Sequence, residues 1–173
     1  MPIQKLISGG QTGVDRAALD VAIKLGAAHG GWCPKGRLAE DGPIDACYAV
    51  TETPGAEPDQ GAEWNVRDAD ATLVLAYGPL AGDTLQTCRF AEGYGRPWLA
   101  IDLEQESPPL AGRRIRRWLA ETGCAVLNVA GPRRSEAPVA YARAYEALRA
   151  GLGRQGVVPA HDPAADPRPA ATP

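Results

Sequence analysis

The sequence predicts an α/β domain in which strands and helices alternate around a mainly parallel sheet. Three observations predict it. Short apolar segments recur between stretches of helical periodicity. The run from Ala71 to Tyr77 is apolar almost throughout, as a central parallel strand covered on both faces must be. Glycine-containing loops, Gly9 to Gly13, Gly78 to Thr84 and Gly131 to Ser135, each leave the C-terminal end of an expected strand. Right-handed crossovers then give a single Rossmann-like three-layer domain, with a ligand site where loops after adjacent strands meet. In a chain of 173 residues we expect this domain over 1–153, followed by a disordered Pro/Ala-rich tail over 154–173.

Ile3 to Ile7 reads as the first strand. It enters Ser8-Gly9-Gly10-Gln11-Thr12-Gly13 and then a helix with Val14, Ala17, Ala18, Val21, Ala22 and Leu25 on one face. A strand-to-helix junction of this kind leaves the first helical amides unpaired at the positive end of the helix dipole, where a phosphate is favoured. The loop is neither standard phosphate motif: a Walker A loop places glycine at Val14, and the dinucleotide fingerprint places it at Gln11. A tight turn without a ligand is the competing reading.

Gly26 suits a helix C-cap, and Ala27 to Trp32 a short second strand. Cys33 to Ile44 carries two prolines, two glycines and the cations Lys35 and Arg37, and reads as a long loop. Those cations either turn toward an anion at the first helix or stay solvated. Tyr48 to Thr53 is a short strand, Pro54 to Gln60 loop, and Gly61 to Asp70 a helical turn with Trp64 and Asn65. After the central strand a helix runs from Thr84 to Glu92, capped by Asp83 or Thr84. Trp98 to Asp102 is a strand. Pro108 to Thr122 is a helix with Ala111, Ile115, Trp118, Leu119 and Thr122 inward and Arg113, Arg114, Arg116 and Arg117 outward. Gly123 ends it, Ala125 to Val129 is the fifth core strand, and Ser135 is the expected N-cap of a last helix with the stripe Tyr141, Tyr145, Leu148 and Leu152.

A net charge of −3 gives no general field for nucleic acid, and the arginine face lacks the interleaved aromatics of a single-strand binder. No nucleic-acid partner is expected. No apolar run approaches membrane-spanning length, and the chain enters a strand too early for a signal peptide, so a cytoplasmic location is expected. Cys33, Cys47, Cys88 and Cys124 form no C-x-x-C pair, and the histidines are only His29 and His161, which argues for reduced thiols and against structural zinc. Cys33 either packs or contacts a ligand.

Four ordered blocks carry a family resemblance: Ser8 to Asp20 (SGGQTGVDRAALD), Gly30 to Arg37 with Glu40-Asp41-Gly42, Glu63 to Thr72 (EWNVRDADAT), and Asn128 to Arg133 (NVAGPR). Together they resemble the molybdenum cofactor carrier proteins. That resemblance implies a Rossmann-like fold related to the lysine-decarboxylase-like (LOG) proteins, whose members include nucleotide phosphoribohydrolases. It also implies a homo-oligomer, a dimer or tetramer, that binds and protects molybdenum cofactor before delivery to molybdoenzyme apoproteins. Carried onto this chain, the binding residues are Gly9, Gly10, Gln11, Thr12, Gly13, Asp15, Arg16, Lys35, Gly36, Arg37, Trp64, Asn65, Gly82, Thr84 and Arg133, with no catalytic or metal-binding residue. The cofactor is an elongated anion with a flat pterin, so Lys35, Arg37 and Arg133 would meet its charge. Each such charge-assisted bond contributes roughly 1.5–3 kcal/mol. Trp64 would stack on the pterin or else pack, and Asn65 would pair with its edge.

The chain departs from the family pattern in two places. Gly82-Asp83-Thr84 stands where a Gly-Gly-Thr or Gly-Gly-Ser triplet is usual, and Gly61-Ala62 where an arginine is usual. A phosphoribohydrolase is the enzymatic alternative, but Thr87 falls at the position of its catalytic glutamate and is no carboxylate base. Asp15 and Glu63 are carboxylates open to another hydrolytic chemistry or to structural roles. A nucleotide-binding sensor is the third reading.

Overall fold

In the computed structural model residues 2–153 and 157–160 are described. The elements in chain order are β1 (Lys5–Ile7), α1 (Val14–Leu25), β2 (Ala28–Gly30), β3 (Trp32–Cys33), β4 (Leu38–Ala39), β5 (Gly42–Pro43), β6 (Thr51–Glu52), α2 (Pro58–Asp68), β7 (Ala71–Ala76), α3 (Gly82–Gly93), β8 (Trp98–Asp102), α4 (Pro108–Thr122), β9 (Val126–Ala130) and α5 (Ala140–Leu152).

Five parallel strands form one sheet in the order β2-β1-β9-β7-β8. The crossovers from β1 to β2 and from β7 to β8 run in opposite directions, so right-handedness puts α1 and α3 on opposite faces. Helices α1, α4 and α5 pack together in one outer layer, and α2 packs with α3 in the other. All six residues of β7 are buried, as its unbroken apolar run requires. Helices α4 and α5 meet at glycines: a Cβ on Gly112 would lie 2.5 Å from that of Ala150, and one on Gly151 2.9 Å from that of Ile115.

Several expected boundaries move, each for a physical reason. The strand expected over Ala27 to Trp32 splits, because Gly31 (φ 129°) folds over Ser8 so closely that a Cβ there would sit 2.1 Å from the Ser8 carbonyl oxygen. Beyond it β3 leaves the main sheet and pairs with β6. Within the expected 33–44 loop, β4 and β5 form a small antiparallel hairpin. Helix α2 starts earlier than Gly61, with Pro58 in its first turn. Neither Asp83 nor Thr84 caps α3, whose N-cap is Ala81, because the Asp83 carboxylate turns to Arg133 instead. Ser135 is not the N-cap of α5. That helix begins after Val139, and the Ser135 hydroxyl donates to Glu40.

The outward arginines of α4 are largely engaged. Arg114 pairs with Glu106, Arg116 donates to the Ala150 and Gly151 carbonyls at the end of α5, and Arg117 lies 3.9 Å from Glu121. Of the expected tail, Val157 pairs with Ile3 and Pro159 with Ala27, and Val157 is buried. Residues 154–156 and 161–173 lie outside the described residues. Among the described residues, no helix is long and apolar enough to cross a membrane.

Candidate functional site: a cleft at the carboxyl edge of the sheet

A cleft of about 260 Å³ opens where the C-terminal ends of β1 and β9 face α2 and α3. Gly9, Asp15 and Asn128 line it from the sheet side. Trp32, Pro34 and Leu38 close one flank, and Thr84 and Thr87 of α3 the other. Asp83, Arg133 and Glu136, more exposed, stand at its mouth.

The first glycine loop is not the open amide cradle that the sequence predicts. Gln11 N–H donates to Asp15 Oδ2 (3.4 Å), Thr12 N–H to Gln11 Oε1 (3.0 Å) and Val14 N–H to the Pro132 carbonyl (3.3 Å). The Asp15 and Gln11 side chains satisfy the first two of these donors locally, and the β9–α5 connection, lying over the loop, takes the third. A Cβ on Gly13 would stand only 2.4 Å from the Pro132 oxygen, so this glycine serves close packing.

The expected cations separate. Arg16 donates to the Gly10 carbonyl (3.1 and 3.2 Å) and pairs with Asp41 (3.2 Å). Arg37, in the left-handed region at φ 53°, curls back and donates to four carbonyls, those of Ile44, Asp45, Tyr48 and Val50. Both are braces for the loop and do not line the cleft. Lys35 is exposed and lines no part of it, and the Gly36 amide donates to Glu52. Arg133 alone of the basic candidates reaches the cleft, where it pairs with Asp83 (2.6 Å) and approaches Glu136 (3.7 Å).

The tryptophans lie differently from the expectation. Trp64 packs edge-on against Trp32 (4.9 Å between ring centres) beneath Arg67, away from the cleft. Asn65 lines the cleft but both ends of its amide clamp the Trp32 backbone, at 2.7 and 3.0 Å. Trp32, with its indole N–H fixed on Asp68 (2.7 Å), is the tryptophan that lines the cleft. Gly10 packs on Ile44, and Gly82 lines a neighbouring hollow beside Tyr77 and Pro79. Glu63 accepts from the Tyr94 hydroxyl and lies off the cleft. Of the expected binding residues, the cleft thus gathers Gly9, Gln11, Asp15, Asn65, Thr84 and Arg133.

Asn128 and Glu40 stand in the blocks that carry the resemblance, but neither takes a role from the sequence alone. Asn128 is a buried amide in an apolar strand, itself a signal, and its side chain reaches Thr72 at 3.4 Å. Glu40 accepts from the Thr12 hydroxyl and from the Ser135 amide and hydroxyl, while its own amide donates to Gln11 Oε1. These bonds latch the β4–β5 hairpin over the first loop and, with Ser135 the largest cause, hold the Glu40 carboxyl below its usual range.

Asp15 is the distinctive titrating group. It keeps some accessible surface toward the cleft, but protein surrounds the carboxyl elsewhere. Burial pushes its pKa from 3.8 up to about 7, against the smaller opposing effect of the Gln11 amide. Cys33 packs with Leu19, Ile44 and Val50, where burial also raises its thiol, and it does not line the cleft. The described residues contain no cluster of three or more His, Cys, Asp or Glu placed to hold a metal ion.

Fold and cleft define a Rossmann-like α/β domain with a small-molecule-sized cavity at the carboxyl edge of its parallel sheet. Residues 6–152 match the circularly permutated YpsA SLOG family, cpYpsA, and the chain belongs to that family. It is similar to a crystal structure named "putative molybdenum carrier protein" from Syntrophus aciditrophicus SB. The two are 45% identical with a TM-score of 0.85, covering 87% of this chain and 95% of that one. No curated protein matches the chain.

Proposed function

We propose that the protein binds and carries a phosphorylated heterocyclic small molecule, with molybdenum cofactor the leading ligand. One observation carries the reading: a cleft of about 260 Å³ joins a flat aromatic and aliphatic flank, Trp32 and Leu38, to a single cation, Arg133, beside the start of α3. The ring lies against the flank and the phosphate reaches the mouth. There the first intrahelical bond of α3 is Leu85 N–H to the Ala81 carbonyl (3.1 Å), so the amides before it point outward at the positive end of the dipole. Arg133 is handed from Asp83 and Glu136 to the phosphate, a charge-assisted exchange. The name of the solved relative, a molybdenum carrier, supports a molybdenum-containing cargo, and the sequence resemblance adds the cofactor form, homo-oligomeric assembly and delivery to molybdoenzyme apoproteins to the same proposal.

Thr87 favours carriage over phosphoribohydrolysis. It stands on the cleft wall with its hydroxyl donated to the Asp83 carbonyl (3.0 Å), and it has no carboxylate to offer as a base.

Calorimetric titration with molybdenum cofactor, molybdate, AMP and ADP-ribose tests the proposal. The cofactor should bind and molybdate alone should not, and Arg133→Ala should weaken binding about 10- to 100-fold, the worth of one charge-assisted contact. Tight binding of AMP with release of ribose 5-phosphate would replace the carrier by an enzyme.

A further inference from the structure

We propose that Asp15 reads the bound ring, its carboxylate accepting two adjacent N–H donors of the kind presented by a 2-amino-4-oxopyrimidine edge, as in a pterin or a guanine. This rests on the cleft being the ligand site.

The placement of the carboxyl carries the argument. Asp15 is the second residue of α1, yet its side chain turns back beneath the loop and lines the cleft. Oδ2 is held by the Gln11 amide at 3.4 Å and lies 2.8 Å from where a Cβ on Gly9 would stand. A hydrogen at position 9 is therefore what leaves the carboxyl open to the cavity. Among the described residues no cation forms a salt bridge with the group, although the charge of Arg16 favours its ionisation. Arg16, next on α1, is spent on the Gly10 carbonyl and Asp41, and Arg133 across the cleft on Asp83 and Glu136. Burial outweighs the Gln11 and Gly9 amides, the Ser8 hydroxyl and Arg16 together, so the carboxylate gains from a ligand that supplies further hydrogen bonds.

Shape fits the same ligand. Pockets for drug-sized molecules span roughly 300–1,000 Å³. At about 260 Å³ this one suits a single bicyclic ring, with any tail at the mouth. Trp32, Pro34 and Leu38 flank it, and Gly9, Gly61 and Gly131 leave backbone in place of side chains on the other walls.

The chemistry selects among rings. A carboxylate only accepts, through two oxygens, and so matches two neighbouring donors. Adenine places an acceptor nitrogen beside its amino group, which leaves one Asp15 oxygen facing a lone pair. A protonated carboxyl, with one donor and one acceptor, reverses the preference. Burial brings Asp15 to about 7, so selectivity should turn over near neutrality. The other charged groups facing the cavity are Asp59 from α2, Asp83 from α3, and Arg133 and Glu136 from the β9–α5 connection. Burial outweighs the Arg16 guanidinium, the nearby charge that favours ionisation of Asp15.

The test is calorimetry on the full chain with pterin, guanosine, adenosine, GMP and AMP at pH 6 and pH 8. Pterin and guanosine should exceed adenosine by at least roughly tenfold at pH 8, the worth of one charged hydrogen bond, with the margin shrinking at pH 6. Asp15→Asn, near-isosteric, should erase or invert the preference, and Gly9→Ala should do the same by pressing on the carboxyl. Circular dichroism of both variants reports the fold. If GMP and AMP bind wild type equally at pH 8, Asp15 is no ring reader although the cleft reading stands. If none of the five binds, the cleft reading falls and takes this inference with it.

Discussion

Asp15 also couples the cleft to stability. Its folded pKa of about 7 exceeds the 3.8 of an ordinary aspartate, so between those values the unfolded chain releases a proton that the folded one keeps. The contribution is full below about pH 4, is lost as pH rises toward 7 and is gone above it. Thermal melts from pH 4 to pH 8 should show wild type losing ground to Asp15→Asn across that window and no further beyond it. Parallel curves would mean the carboxyl is solvated. Arg37 makes a contrasting case. Its four carbonyl contacts hold residues 44–50, so Arg37→Ala should cost about 2–4 kcal/mol of unfolding free energy in urea titrations. Ligand affinity and its salt dependence should hardly change, whereas a direct anion contact would lose both.

At the level of elements, the β4–β5 hairpin is held by Glu40 as much as by its own pairing. Four hydrogen bonds join it to Gln11, Thr12 and Ser135. Glu40→Ala should therefore raise amide exchange over 36–44 and loosen the Leu38 side of the cleft, while β7 amides stay protected. The α4–α5 contact has the opposite character, rigid and intolerant of volume. Gly112→Val should destabilise by roughly 1–3 kcal/mol or more in equilibrium unfolding, because Ala150 and the Gly151 backbone have no room to retreat.

Elements with a full turn or more of pattern were legible in the sequence. Helix α4 spans the residues its periodicity marks out, Pro108–Thr122, and β7 is as buried as its composition demands. The two-residue strands β3 to β6 were not, because pairing so short leaves no period to read. The site was half legible. Its position at the carboxyl ends of the strands follows from topology, and Gly9, Asp15, Thr84 and Arg133 meet there. The directions of Arg16, Arg37 and Trp64 were hidden because they depend on neighbours supplied by the fold. The Gly10 carbonyl, the Asp45–Val50 backbone and Trp32 take those side chains before any ligand can. Pro132 likewise takes an amide of a loop far away in sequence.

For the molecule as a whole, the place of β9 between β1 and β7 has a consequence for biosynthesis. The middle plank of the sheet is the last to be made. Until residues 126–130 emerge, neither β1 nor β7 has the strand that joins their two halves of the sheet. Cooperative closure must wait for most of the polypeptide, and the Gly9 side of the cleft cannot meet its Arg133 side any sooner.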